Sequence, residues 1–309
     1  MVRSYESDQE LERLRRRARW SKNTCVAIAL LSFWPFLAGI DWIMKERESQ
    51  IAMRVAQDLV VAAVLALIVF CLLWSLLGMK LYQRFNEEFK RRYAIPWISG
   101  IPGIQELYYD MGRGMSHREI RNAAVVGCGN EEEFTSSDLL AGLYGGIPFR
   151  MSNVTTRRMV HSTKGRRRTE MIFTGQVLQF CQVPGERVSQ GHLQIFQKEL
   201  LSDFRGWKAE HPIKINQGIF EKKFQVYATN EASAWRILTP QLLERLTAFA
   251  DAIGKQVAVT FRDRDVFVAV YQTRNVFDGD LHMPVEEQKG QILEDMELLQ
   301  KAWRFFLTT

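Results

Sequence analysis

The first pattern along the chain is a pair of long apolar runs near its N-terminus. Thr24–Ile40 and Leu59–Met79 contain no charged residue, and they are 17 and 21 residues long. A helix rises about 1.5 Å per residue, so about 20 apolar residues cross the hydrocarbon core of a bilayer. The pattern predicts a two-span transmembrane hairpin over residues 23–79 and, with it, the lipid bilayer as a partner.

The lysine and arginine residues around these runs predict their orientation. Residues 1–22 hold seven of these cations, residues 45–58 hold three, and residues 80–92 hold five. Segments rich in lysine and arginine remain on the cytoplasmic side of a membrane. We therefore expect a basic cytoplasmic N-terminus over residues 1–22, a juxtamembrane helix and linker over residues 80–103, and a cytoplasmic domain over residues 104–309, with both chain termini cytoplasmic.

Several short runs in the C-terminal region are typical of strands. Two long runs flank a basic turn and predict a hairpin, and two β-branched runs flank a charged turn and predict another. Strands in hairpins with helices between them favour an α+β domain with an antiparallel sheet. The predicted strands are Ile147–Val160, Met171–Val183, His192–Phe196, Phe224–Tyr227, Gln256–Phe261 and Asp265–Tyr271.

Helix signals lie between and after these strands. Thr239 suits an N-cap, Pro240 a first helical position and Gly254 a helix end, so the three residues together predict a helix. Two shorter helices are also predicted, one opened by a capping-box pattern at residues 116–119 and one over Asp138–Leu143.

The C-terminal segment carries an apolar stripe at helical spacing, which predicts an amphipathic helix. The stripe either packs against the domain's own sheet or forms a face for a protein partner or a second copy of the chain. Its residues are Ile292, Met296, Leu299, Trp303 and Phe306.

The composition is that of a globular protein, with 47% hydrophobic and 25% charged residues and a net charge of +6. The positive charge is most concentrated around the turn of the first predicted hairpin. This basic cluster forms either a solvated connection or a contact for anionic lipid head groups. Nucleic acid is a poorer match, because no aromatic residues are interleaved with the cations. The cations are Arg157, Arg158, Lys164, Arg166, Arg167 and Arg168.

No sequence motif indicates catalysis or a bound group. The five histidines and four cysteines lack metal-ligand spacing, and the chain has no phosphate-binding glycine loop and no nucleophile elbow. No catalytic residue, metal ligand or cofactor is therefore predicted. The expected function is a membrane-tethered cytoplasmic interaction or scaffold module. The alternative is a membrane-associated enzyme of unrecognised type.

Four local patterns occur in a fixed order: Asp138–Gly142, Ile172–Gly175, Phe224–Ala232 and Ile237–Pro240. Together with the two preceding apolar runs, they resemble an uncharacterised bacterial family of two-span membrane proteins, the domain-of-unknown-function family numbered 3137. The resemblance implies a bacterial inner-membrane location and brings no activity. The chain departs from the family in the strand after the glycine pair, where Met151-Ser152-Asn153 stands in place of an acidic residue.

Overall fold

The computed structural model of the protein describes residues 8–21, 23–24, 50–161, 167–183, 189–198, 209, 211–216 and 218–307. The chain divides into two compact units. The first unit comprises Met1–Ala94 and Gly279–Lys289, and the second comprises Ile95–Asp278 and Gly290–Thr309.

The N-terminal part of the first unit is helical where it is described, and residues 279–284 are irregular. Helix α1 covers residues 8–21, and helix α2 covers Gln50–Phe89 and continues into a π-helical turn, Lys90–Ala94. The rings of Phe85 and Phe89 are buried against Gly279, where an added Cβ would lie 2.8 Å from the Phe85 ring. The absent side chain of Gly279 thus lets the returning segment approach α2 closely.

Nothing in the described part of the chain supports the predicted membrane spans, since none of its helices combines the length and the apolar character needed to cross a bilayer. For the described residues, the predictions of two transmembrane helices and of a multi-pass protein in the bacterial inner membrane are therefore wrong. The run Leu59–Met79 is part of α2, and its Trp74 contacts α1: its ring centroid lies 6.2 Å from that of Trp20, and its Nε1 donates to the Ser21 carbonyl. The first predicted span, from Cys25 onward, lies outside the described residues.

The described part of the second unit contains one nine-stranded sheet, in which all neighbouring strands are antiparallel. Their order across the sheet is β1-β2-β3-β4-β9-β8-β5-β7-β6. The predicted antiparallel sheet and both predicted hairpins are confirmed. The strands are β1 Ile104–Asp110, β2 Thr135–Tyr144, β3 Ile147–His161, β4 Arg167–Phe180, β5 Ser189–Gln197, β6 His211–Ile213, β7 Phe224–Ala228, β8 Val257–Asp263 and β9 Asp265–Tyr271.

Helices lie before, between and after the strands along the chain. The capping box of α4 is confirmed: the Ser116 hydroxyl accepts from the Glu119 amide, and the Glu119 carboxylate accepts from the Ser116 amide. The helix predicted from Thr239 to Gly254 is confirmed at both termini as α7. The helices are α3 Ile95–Ser99, α4 His117–Ala123, α5 Gly218–Lys223, α6 Glu231–Ile237, α7 Pro240–Ile253 and α8 Lys289–Leu307.

The apolar stripe of α8 faces the interior of the protein. Phe306 packs edge-to-face on Phe249 of α7 and on Phe261 of β8, with centroids 5.0 and 6.4 Å away. Trp303 packs on Tyr144 at the end of β2. Burial of the stripe agrees with the first of the two alternatives, packing within the chain itself. The fully buried members are Ile292, Met296, Leu299 and Phe306.

Strand β2 occupies the place of the short helix predicted over Asp138–Leu143, so that prediction is wrong. The strand pairs with β1 on one side and β3 on the other, and this pairing overrides the local helical preference. The register with β3 shifts between Ser137 and Leu140, and Asp138 has a φ of 57°. At this bulge the Asp138 and Leu139 amides donate to the carbonyls of Met111 and Arg113.

Candidate functional site

A polar groove of about 430 Å³ lies where β2, β3 and β4 meet the segment that follows β9. Most of its lining side chains carry a hydroxyl or an amide, and one carries a guanidinium. We call it the polar groove. Its lining residues are Thr135, Ser136, Ser137, Asn153, Thr155, Arg157, Met171, Thr174, Thr273 and Asn275.

Strand geometry brings the groove residues of β3 to one face of the sheet. Successive side chains of a strand point to opposite faces, so Asn153, Thr155 and Arg157 share one of them. The hydroxyls of Thr155 and Thr174 lie 3.0 Å apart across the β3–β4 pair. A bulge in β4 then leaves Met171 opposite Arg157. The groove therefore follows the hairpin from its centre towards its turn.

Arg157 lines the groove, and its guanidinium has no carboxylate partner among the described residues. The neighbouring Arg158, on the opposite face, is paired with Glu170 of β4 at 2.6 Å. The backbone of Arg157 is fixed from outside the sheet, since its carbonyl accepts from the Asn130 amide at 2.9 Å. The groove thus presents an immobilised strand with an uncompensated positive charge.

Gly129 makes this contact with Arg157 sterically feasible. Its φ is 62°, and an added Cβ would lie 2.0 Å from the Arg157 carbonyl oxygen. Real Cβ atoms are essentially never that close to a backbone oxygen, so glycine is required both for the conformation and for the approach. A glycine with a similar φ, Gly254 at 63°, has open space around it.

A buried carboxyl group, that of Asp138, supports the floor of the groove. It accepts hydrogen bonds from the Tyr109 hydroxyl at 2.5 Å, the Asn153 amide at 2.9 Å and the Ser137 hydroxyl at 2.9 Å. Burial raises the pKa of Tyr109, and the nearby charge of Asp138 raises it further. Tyr109 therefore stays protonated and remains a hydrogen-bond donor to Asp138.

Asn153 connects this buried group to the segment after β9. Its side-chain oxygen accepts from the Val276 amide at 3.1 Å, while its nitrogen donates to Asp138. Each side-chain polar atom of this buried residue therefore has a partner. Asn153 thus joins the carboxyl group of Asp138 to the segment after β9.

The same segment is held at its far end by Asp295 of α8. The Phe277 amide donates to Asp295 at 2.8 Å, and Arg274 forms an ion pair with the same carboxylate. Phe277 is buried with a φ of 63°, a conformation that a phenylalanine keeps only when its surroundings fix it. Thr273 and Asn275, which line the groove, lie within this fastened segment.

Burial raises the pKa of Asp295 to about 6, although the charge of Arg274 and the Phe277 amide act in the opposite direction. The folded protein then holds this proton more tightly than the unfolded chain does. We expect the free energy of unfolding to fall by about 2 kcal/mol as the pH rises from about 4 to about 7, because the unfolded chain gives up the proton first. Chemical denaturation at a series of pH values measures this loss.

Asp295→Asn isolates the contribution of this one carboxyl group. Other groups also titrate in this range, so the difference between wild type and variant is the informative quantity. That difference should change with pH between about 4 and 7 and be constant above it. Parallel stability curves for the two proteins over this range would contradict a raised pKa of Asp295.

The described cations of the predicted basic cluster do not all line the groove. Arg157 lies in the groove, and Arg158 is engaged by Glu170. Arg167 and Arg168 are exposed at the start of β4. Lys164 and Arg166 lie outside the described residues.

Most of the groove residues were not singled out from the sequence. A signal was present in β3, where Asn153, Thr155 and Arg157 place polar groups at alternate positions, so one face of a central strand is polar over this length. Asp138 and Tyr109 come together only through the pairing of β1 with β2. Their proximity could not be derived from local patterns.

Metal binding and thiol chemistry find little support among the described residues. No set of three or more histidine, cysteine or acidic residues in it is arranged to hold a metal ion. Burial raises the pKa of Cys128 to about 12 and that of Cys181 to about 11. Both thiols are therefore protonated near neutral pH and react slowly as nucleophiles.

Fold and site together define an α+β domain with a polar groove on a large antiparallel sheet. Residues 171–304 match the model of the family described as Protein of unknown function (DUF3137), which confirms the family resemblance over that segment. The match begins within β4, so Met171, Thr174 and Asn275 of the groove fall inside it and the groove residues of β3 precede it. No curated protein and no solved structure matches the chain.

Proposed function

We propose that the second unit is a protein-interaction module and that the polar groove binds a polypeptide segment of a partner. The observation that carries the proposal is the composition of the groove lining. Serine and threonine hydroxyls and asparagine amides both donate and accept hydrogen bonds. A peptide backbone offers one donor and one acceptor per residue, and these need partners when they leave water. The lining matches that requirement.

The supports of the groove favour tight binding. The Asp138 carboxyl group fixes Asn153, and Asp295 fixes the segment that carries Thr273 and Asn275. Side chains that are already ordered lose little conformational entropy when a ligand arrives, so more of the interaction energy appears as affinity. This arrangement suits a recognition surface.

The chemistry of the groove favours binding over the alternative, an enzyme of unrecognised type. Among the lining residues, Arg157 is the one side chain with a formal charge, and a guanidinium serves poorly as a proton donor or acceptor. The nearby Asp138 is buried and accepts three hydrogen bonds. The groove therefore offers hydrogen bonds and positive charge, which are means of binding.

Filling the groove should weaken binding. Peptides that bind the full-length chain would first be selected from a displayed random library and synthesised. Their affinities would then be measured for the wild type and for Asn275→Trp, which places an indole at an exposed position of the lining. We expect affinity to fall by about tenfold or more, or about 1.4 kcal/mol, because the indole occupies the space of the peptide.

A matched control carries the same added side chain elsewhere. Gln241→Trp places an indole at an exposed position on α7 and should leave affinity unchanged. Selected peptides that bind wild type and Asn275→Trp equally well would show that the groove is not their site. A library that yields no binder to the wild-type chain would also count against the proposal.

A further inference from the structure

The class of peptide can be inferred from the charge and register of the hairpin. Resting on the proposed function, we propose that the bound segment is acidic and extended, and that two of its carboxylate side chains, four residues apart, pair with Arg157 and Arg167. In each pair, the two oxygens of a carboxylate accept hydrogen bonds from the planar guanidinium group.

Strand register places the two cations on the same face. Arg157 of β3 lies opposite Met171 of β4, and the pairing runs without a shift from there to the pair His161 and Arg167. Side chains alternate along a strand, so Arg167 shares the face of Met171 and hence that of Arg157. Met171 and Arg167 are four positions apart in the sequence, which amounts to about 13 Å along the hairpin.

The two faces of the hairpin differ in charge balance. On the opposite face, Arg158 is neutralised by Glu170, which leaves one exposed cation there, Arg168. On the groove face, neither Arg157 nor Arg167 has a carboxylate partner among the described residues. The groove face therefore has two separated positive charges that a ligand can neutralise.

The spacing of these cations selects an extended ligand. An extended peptide advances about 3.3 Å per residue, so side chains four residues apart are about 13 Å apart and point in the same direction. Side chains three residues apart point to opposite sides and cannot both reach the hairpin face. A single guanidinium at each position matches the single charge of a carboxylate, whereas a phosphate carries nearly two negative charges.

The test uses the full-length chain and short synthetic peptides that are neutral except for two glutamates. The glutamates stand four residues apart in one peptide and three apart in its control, and binding is measured by isothermal titration calorimetry at low salt. We expect the four-residue spacing to bind about tenfold more tightly, because it engages both arginines with charge-assisted bonds. Equal affinities for the two peptides would contradict the proposed four-residue spacing of the carboxylates.

Single substitutions identify the arginines. Arg157→Gln should weaken binding of the four-spaced peptide about tenfold, and Arg167→Gln about threefold, because Arg167 is exposed and solvent screens its charge. Arg168→Gln is the matched control, since Arg168 is adjacent but lies on the other face, and it should have no effect. Equal losses from Arg167→Gln and Arg168→Gln would indicate a diffuse charge effect and overturn the pairing.

Further outcomes separate this inference from the proposed function. If Asn275→Trp blocks peptides while both arginine variants bind normally, the acidic pairing fails and the groove remains the binding site. A phosphoserine pair that binds far more tightly than the glutamate pair would overturn the assignment to carboxylates. Binding of phosphatidylserine vesicles through Arg157 and Arg167, with no binding of either peptide, would assign the face to a lipid surface and overturn the inference.

Discussion

Replacing Gly129 with alanine is expected to lower the free energy of unfolding by about 3 to 5 kcal/mol. About 1 to 2 kcal/mol of this comes from the left-handed conformation, since the φ of Gly129 is 62°. The remainder comes from the added Cβ, which would lie 2.0 Å from the Arg157 carbonyl oxygen and would force two backbone segments apart. Urea denaturation followed by circular dichroism measures the loss.

The contribution of the clash can be separated from that of the conformation with a second glycine. Gly254 has a nearly identical φ of 63° and nothing within 4 Å of an added Cβ. Gly254→Ala should therefore cost about 1 kcal/mol, the conformational part alone. The two variants should differ by several kcal/mol. Equal losses would show that the segment at Gly129 does not pack on β3 as described.

Replacing Asp138 with alanine is expected to destabilise the protein by about 3 to 4 kcal/mol. The change removes three hydrogen bonds and leaves the amide of Asn153 buried without its acceptor. A buried polar group without a partner costs about 1 to 3 kcal/mol, and an alanine at a φ of 57° adds about 1 kcal/mol. Thermal and urea denaturation measure the effect on stability.

Asp138→Asn is the conservative comparison for this site. Asparagine tolerates the left-handed conformation and keeps one side-chain oxygen as an acceptor. We expect it to recover most of the stability lost in Asp138→Ala, to within about 1 kcal/mol of wild type. Peptide binding in Asp138→Ala should also weaken, because Asn153 lines the groove. An alanine variant as stable as the asparagine variant would contradict a structural role for the three hydrogen bonds.

Elements with strong local signals were predictable from the sequence. The sequence predicted an N-cap at Thr239, a proline at the first helical position at Pro240 and a terminating glycine at Gly254. Helix α7 has all three. The hairpin of β8 and β9 was visible because two β-branched runs flank a short charged turn. In both cases the residues that define the element are neighbours in the sequence.

The other features depend on pairing between distant segments. Strand β2 was predicted in part as a helix, since its bulge at Asp138 and its two neighbouring strands are not visible locally. Strand β1 and the short helix α6 were not predicted. The polar groove combines residues from three strands and a loop that is close to them only in the folded chain. Local periodicity carries no information about such encounters.

The two predicted membrane spans rested on the apolar runs, and the described structure corrects that prediction. Hydropathy of a run does not reveal what its side chains contact in the fold. Trp74 belongs to the second run. It packs on Trp20 and donates a hydrogen bond to the Ser21 carbonyl. An apolar run can thus serve contacts between helices of one chain.

The central claim, that the polar groove is the binding site, is tested most directly by methyl NMR of the full-length chain labelled at its methionines. Met171 lines the groove and is 50% exposed, whereas Met296 is fully buried in α8. On addition of the peptide with glutamates four residues apart, the Met171 methyl resonance should shift in proportion to occupancy while that of Met296 stays in place. Saturable binding of the peptide that leaves the Met171 resonance unchanged would contradict the claim.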